Sequence, residues 1–125
     1  MTNPMEPNET PGRILGIGGI FFKSPDHELL RAWYEAKLGV KNDAMFPAGD
    51  HPTIWSIFPA ASTYFEPSDA PFMINYVVDD LDAFLAKCQA NGVRIDPKRE
   101  DHEYGRFAWI YDLEGRKIEL WQPSS

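Results

Sequence analysis

The sequence predicts an α+β domain in which two βαβββ modules form a curved, barrel-like mixed sheet around a cavity. Two helix-forming stretches each come after a short apolar strand, and each stops at a glycine. The copies align with a nearly constant offset, 54 residues from Asp26 to Asp80 and 53 from Gly39 to Gly92. Two agreeing anchors indicate an internal duplication. Strand-like alternation dominates the chain after each helix.

Residues 1–12, MTNPMEPNETPG, are polar and proline-rich and read as a mobile tail before a single domain over 13–125. The first module, about 13–67, opens with the strand GGIFFKS (18–24). A helix comes next over 26–38, with Ser24 as N-cap, Pro25 at the first helical position and Gly39 as the left-handed stop. Leu30, Trp33, Tyr34 and Leu38 make its apolar stripe. A weak strand comes after Val40, then a clear one, TIWSIF (53–58), then a weak one, STYFE (62–66).

The second module, about 71–123, opens with FMINYVV (72–78). Its helix covers 80–91, capped by Asp79 or Asp80 and stopped by Gly92. Leu81, Phe84, Leu85 and Cys88 form the buried stripe, which makes Cys88 a core residue rather than a nucleophile. A short strand VRI (93–95) and two strong ones, RFAWIYD (106–112) and RKIELWQ (116–122), complete the unit. Asp112-Leu113-Glu114-Gly115 is a hairpin connection between the last two.

Composition narrows the function. The net charge of −7 argues against a nucleic-acid backbone as partner. The longest apolar run, Ile14 to Phe22, is nine residues broken by three glycines, too short to span a membrane. No secretory signal is visible, and one cysteine excludes an intramolecular disulfide, so a cytoplasmic setting is expected. There is no Walker loop, no dinucleotide-binding glycine motif and no serine nucleophile elbow.

The repeated unit, the helix ending YEAKLGV, the stretch VDDLDAFLAKCQANGVRI and above all YDLEGRKIELWQP resemble the vicinal oxygen chelate superfamily over residues 13–123. That superfamily comprises glyoxalase I, bleomycin-resistance proteins, fosfomycin-resistance enzymes and extradiol dioxygenases. The resemblance implies a homodimer and, in metal-dependent members, one divalent ion held by the first and last strands of each module. Those four positions fall on Gly19, Met73, Thr63 and Glu119, with Glu66 as the alternative to Thr63. Glu119 alone is a ligand of the expected kind. His27 falls in the first turn of a helix, His51 in a Gly-Asp-His-Pro turn and His102 in EDHEYGR (100–106), a charged loop at the mouth of the last hairpin. None holds a strand position that would face a cavity. No cofactor is therefore expected, and a divalent metal would need ligands of a non-standard kind.

The stretch KIELW (117–121) then defines the site. Alternation places Lys117, Glu119 and Trp121 on the cavity face and Ile118 and Leu120 beneath a helix. A carboxylate among aromatics must be paired, hydrogen-bonded or protonated. Lys117, Lys23, Arg106 and Asn75 are the candidate partners. Glu119 is thus expected as polar anchor or general base, with Phe21, Trp55, Met73, Asn75, Tyr104, Arg106, Trp109 and Trp121 lining a pocket for a small organic molecule. Phe58, Tyr64 and Phe107 are further wall candidates. The rival expectations are a lyase or dioxygenase with unusual metal ligands, a drug-sequestration module without catalysis, and an interaction module whose cavity is filled. Glyoxalase I activity itself is not expected, because that reaction leans on a metal.

Overall fold

The computed structural model describes residues 10–124. Its elements are β1 (Ile14–Ser24), α1 (His27–Leu38), β2 (Ala44–Ala48), β3 (His51–Pro59), β4 (Phe72–Val78), α2 (Leu81–Ala90), β5 (Arg94–His102), β6 (Gly105–Tyr111) and β7 (Lys117–Pro123). All seven strands join one open mixed sheet in the order β2-β3-β1-β4-β7-β6-β5.

The duplication is visible in the register. The central strands β1 and β4 run antiparallel with Ile20 opposite Ile74, flanked by Gly19 opposite Asn75 and Phe21 opposite Met73. Exchanging the modules by 54 residues maps these flanking pairs onto each other. Beyond this centre, β1 pairs in parallel with β3 and β4 with β7. The expected first nine residues of the tail lie outside the described residues. Gly12 is already tied to the fold, its N–H donating to Asp79 Oδ1 at 2.9 Å.

Local expectations were met in some places and corrected in others. Asp80 caps α2, accepting from Ala83 N at 3.0 Å, and Gly39 and Gly92 adopt φ of 71° and 75° at the helix ends. The cap of α1 is Asp26, which accepts from Leu29 N at 3.1 Å; Ser24 instead turns its hydroxyl to Asp26 N, so Pro25 precedes the cap. Leu81, Cys88, Phe84 and Leu85 pack under α2 as expected. On α1 only part of the stripe does so. Trp33 and Leu38 are 48% and 58% exposed, while Tyr34 packs on Phe22 and Trp55.

Two strand assignments change. STYFE (62–66) is not a strand, so the first module is βαββ. Its backbone bonds are local turns, Ser62 N to Pro59 O and Glu66 N to Thr63 O, and the Ser62 hydroxyl accepts from Tyr64 N. Ser and Pro at these spacings favour turns over ladder pairing. Conversely, β5 runs nine residues to His102, past the expected end at Ile95. It tolerates Pro97 because it is an edge strand whose register breaks between Ile95 and Arg99.

The two faces of the sheet are distinct. Leu81, Cys88, Ala108, Ile110 and Leu120 close the core under α2. On the opposite, concave face Phe21, Phe65, Met73 and Trp109 form a second buried cluster, with Ile54, Phe58, Tyr64 and Phe107 against it. The centre of the expected cavity is therefore filled, by strand residues together with Tyr64 and Phe65 from the segment expected to be a strand.

Candidate functional site

Strand alternation in β7 carries Glu119 onto the concave face, where it is 3% exposed. Its two lateral neighbours in the sheet are Asn75 on β4 and Trp109 on β6. Cross-strand neighbours on one face lie close enough for side chains to touch, and both donate to it. Asn75 Nδ2 reaches Oε1 at 2.7 Å and Trp109 Nε1 reaches Oε2 at 3.1 Å. The third donor is the phenol of Tyr64, which hydrogen-bonds Oε2 from the 60–71 connection. Among the described residues no cation pairs with the carboxylate directly. Lys117 Nζ donates to the Tyr64 carbonyl at 2.9 Å, Lys23 lies over the Phe65 ring, and Arg106 pairs with Asp82 at 3.2 Å.

The electrostatics follow from burial. Loss of water pushes the Glu119 carboxyl above its ordinary value, and the three donors offset part of that rise. Burial and the facing Glu119 carboxylate push the Tyr64 phenol upward, so it stays protonated. Burial also lowers the Lys117 ammonium.

Beside Tyr64 the concave face opens. Tyr64, Glu100, His102, Tyr104 and Phe107 line a pocket of about 180 Å³. His102 stacks on Tyr104, centroids 4.9 Å apart, and its Nε2 meets Glu100 Oε1 at 2.8 Å. The stretch EDHEYGR is thus the end of β5 and a tight turn into β6 rather than a loop. Bonds from His102 and Lys98 hold the Glu100 carboxyl below its usual range.

Of the expected lining residues, Phe21, Met73, Asn75, Trp109 and Trp121 lie on the concave face, and Tyr104 lies at its mouth. Trp121 stacks on Phe107 with 5° between planes and donates to Tyr104 O at 3.0 Å. Two expected residues lie elsewhere. Trp55 points to α1, 4.7 Å from Tyr34, because β3 places Ser56 rather than Trp55 opposite Phe21. Arg106 alternates with Phe107 and so faces the helix side, where Asp82 of α2 engages it. It lines a separate pocket of about 590 Å³ with His51, Asp50 and Gln122.

The first-module counterpart of Glu119 also moves. Asn75 pairs with Glu119 and its equivalent Phe21 pairs with Ser56, so Ser56, not Thr63, holds that position. Its hydroxyl hydrogen-bonds Asp43. Thr63 and Glu66 lie in the turn, both exposed.

The donor set does not suit a divalent ion. A Cβ on Gly19 would lie 2.7 Å from the Phe21 ring, which occupies the space of a ligand side chain, and Met73 is buried among aromatics. The groups that converge on Glu119 turn N–H and O–H hydrogens toward it, an arrangement suited to a carboxylate without a metal ion between them. Among the described residues, no three His, Cys, Asp or Glu side chains converge as a metal-binding group.

Gly18 clears space for this cluster, since a Cβ there would lie 2.3 Å from Asn75 Oδ1 and 2.7 Å from Val77 Cγ2. Gly18→Ala is expected to destabilise the fold by about 1–3 kcal/mol through overpacking. Urea denaturation checks this; an unchanged midpoint would show that Asn75 yields without loss.

None of the curated proteins compared with the chain matches it. Among solved structures it is similar to methylmalonyl-CoA epimerase from Mycobacterium tuberculosis, with a TM-score of 0.66 and 16% identity over 90% of each chain. It is also similar to a variant of the Streptomyces coelicolor methylmalonyl-CoA epimerase in complex with 2-nitronate-propionyl-CoA. That match has a TM-score of 0.68 and 14% identity over 90% of this chain and 100% of that one. At such identity the likeness is one of fold. The family model that matches residues 16–120 covers most of the sequence and both modules of the sheet, and by it the chain belongs to the Glyoxalase/Bleomycin resistance protein/Dioxygenase superfamily.

Proposed function

We propose that this chain binds a small planar organic molecule on its aromatic concave face, without a divalent metal, and that Glu119 is the polar anchor. One observation carries the reading. A carboxylate is held at the centre of an aromatic face by two donors built into the sheet, and its remaining donor comes from a connection that no ladder holds. Sites with apolar walls and a few placed polar groups suit small molecules. With three donors already on Glu119, sequestration or binding fits better than catalysis.

Proton transfer by Glu119 is the second reading. Its raised carboxyl supports it, since a carboxylate tuned upward works as a base closer to neutral pH. Its signature is a pH-dependent turnover lost in Glu119→Gln. Methylmalonyl-CoA belongs among the substrates tried, because the structural neighbours are named for it. Homodimerisation and a cytoplasmic setting belong to the same proposal. Exposed Ile17, Ile20 and Trp33 offer surface for a second copy, and sedimentation velocity checks it.

The test is a thermal-shift screen of small aromatic alcohols, amines and acids on untagged protein and on Glu119→Gln, with metal analysis of both. The expected result is one aromatic class that raises the melting temperature of the wild type by several degrees, a smaller effect in the variant, and metal well below one per chain. Near-stoichiometric metal that disappears in Glu119→Gln would restore the lyase or dioxygenase reading.

A further inference from the structure

Tyr64 is a para-alkylphenol presented by the chain itself. Among the described residues, the connection that carries it, residues 60–71, makes backbone-to-backbone bonds to the sheet only near its ends, Ala60 N to Ser24 O and Lys23 N to Pro71 O. In between, Lys117 Nζ of β7 donates to the Tyr64 carbonyl at 2.9 Å. Between those points, side chains hold it in place. The Tyr64 ring stacks on Phe58 with centroids 5.7 Å apart and planes 11° apart, and meets Trp109 edge-on at 6.3 Å. Lys117 Nζ also lies 5.6 Å from the ring centroid, and Tyr64 lines the open pocket with Tyr104 and Phe107. Asn75 and Trp109 are fixed in β4 and β6. The sheet therefore supplies a buried carboxylate with two permanent donors and one position for a third, and that position is filled by a phenol on a segment with no ladder bonds.

We infer that Tyr64 is an internal stand-in for a free phenol, and that the ligand is a para-substituted phenol that enters past Tyr104 and Phe107, displaces the Tyr64 ring and donates its hydroxyl to Glu119. This rests on the small-molecule reading above and narrows it to a chemical class. The chemistry favours a neutral donor. An anionic ligand would meet a like charge away from water, and a hydrocarbon would leave the carboxylate short of a donor. A hydroxyl in the place of the Tyr64 hydroxyl restores the same three bonds.

Tethering makes Tyr64 a competitor at an effective concentration of about millimolar. Removing its hydroxyl in Tyr64→Phe weakens that competitor and keeps the ring packing, so the variant folds even if Tyr64→Ala does not. Isothermal titration with 4-methylphenol and toluene is the experiment. The wild type is expected to bind 4-methylphenol, Tyr64→Phe to bind it roughly tenfold more tightly, and toluene to bind each at least about tenfold more weakly. Glu119→Gln is expected to lose most of the preference for the phenol. Binding of 4-methylphenol to Tyr64→Phe or Tyr64→Ala but never to the wild type would overturn the inference, because Tyr64 would then be permanent core. Equal binding of toluene would overturn it too. If instead an aromatic amine or acid binds in a Glu119-dependent way while 4-methylphenol does not, the phenol class falls and the broader small-molecule reading stands. If no small molecule binds, both fall.

Discussion

Glu119→Ala is expected to destabilise the domain by about 3–5 kcal/mol, while Glu119→Gln is expected to lose only about 1 kcal/mol. Alanine would strand the Asn75 amide and the Trp109 indole N–H in a buried face, and the Tyr64 hydroxyl beside them. Each buried donor left unsatisfied is worth about 1–3 kcal/mol. Tyr64 recovers part of its share by turning toward the adjoining pocket. Glutamine keeps one acceptor for Tyr64 and Trp109, and its new amide meets Asn75. The Asn75 Oδ1 is buried without a partner among the described residues, so rotating that amide gives the glutamine N–H an acceptor.

The two substitutions also separate charge from packing. Burial raises the Glu119 carboxyl above its ordinary 4.5, so the folded state holds this proton more tightly than the unfolded chain. Its contribution to stability is fully present below the unfolded value and declines as pH rises through the folded one. Urea midpoints measured from pH 4 upward should fall with pH in the wild type relative to Glu119→Gln. Parallel profiles for the two proteins would show that the carboxyl titrates alike folded and unfolded, and would contradict the desolvation account.

How much of the fold and site is legible in sequence depends on which interactions set each feature. Glu119 and the faces of β7 are readable because strand alternation is local. So are Asn75 and Met73, which share their strand's face. The duplication is readable because two caps and two stops repeat at one spacing, and the Ile20–Ile74 pairing shows it to be the symmetry of the sheet. The role of Tyr64 is not readable. Its aromatic ring suggests a wall residue in a strand, but Ser62, Pro59 and Pro67 around it favour turns, and only a turn lets the ring fold over the sheet onto Glu119. Trp55 and Thr63 are misplaced for a topological reason. The last strand of the first module is β3, parallel to β1, so Ser56 and not a residue of 62–66 occupies the position equivalent to Glu119. The clear alternation of TIWSIF is the available signal. Arg106 falls on the wrong face because EDHEYGR reads as a loop mouth, whereas β6 already begins at Gly105 and fixes Arg106 toward Asp82.

Phe65→Ala is expected to cost about 3–5 kcal/mol, as truncation of a buried phenylalanine does. Phe65 is 0% exposed although it belongs to a segment without ladder bonds. Its ring packs in the cluster of Phe21, Met73 and Trp109, 5.1 Å from the Phe58 centroid, with Lys23 Nζ 5.1 Å above its own centroid. Glu66→Ala, one residue on and exposed, should change stability by no more than about 0.5 kcal/mol. Chemical denaturation of both variants decides whether 60–71 is a covering loop or part of the core. A small effect at Phe65 would mean that the concave face tolerates loss of its filling, and that the whole segment opens as a unit. The expected contrast instead gives adjacent residues separate duties. Phe65 anchors the segment on the sheet through apolar contact, which no ligand hydroxyl replaces. Tyr64 is half-buried, bonded to Glu119 through its hydroxyl, stacked on Phe58 and tied to Lys117 through its carbonyl. In the proposed exchange its ring yields while the anchor stays.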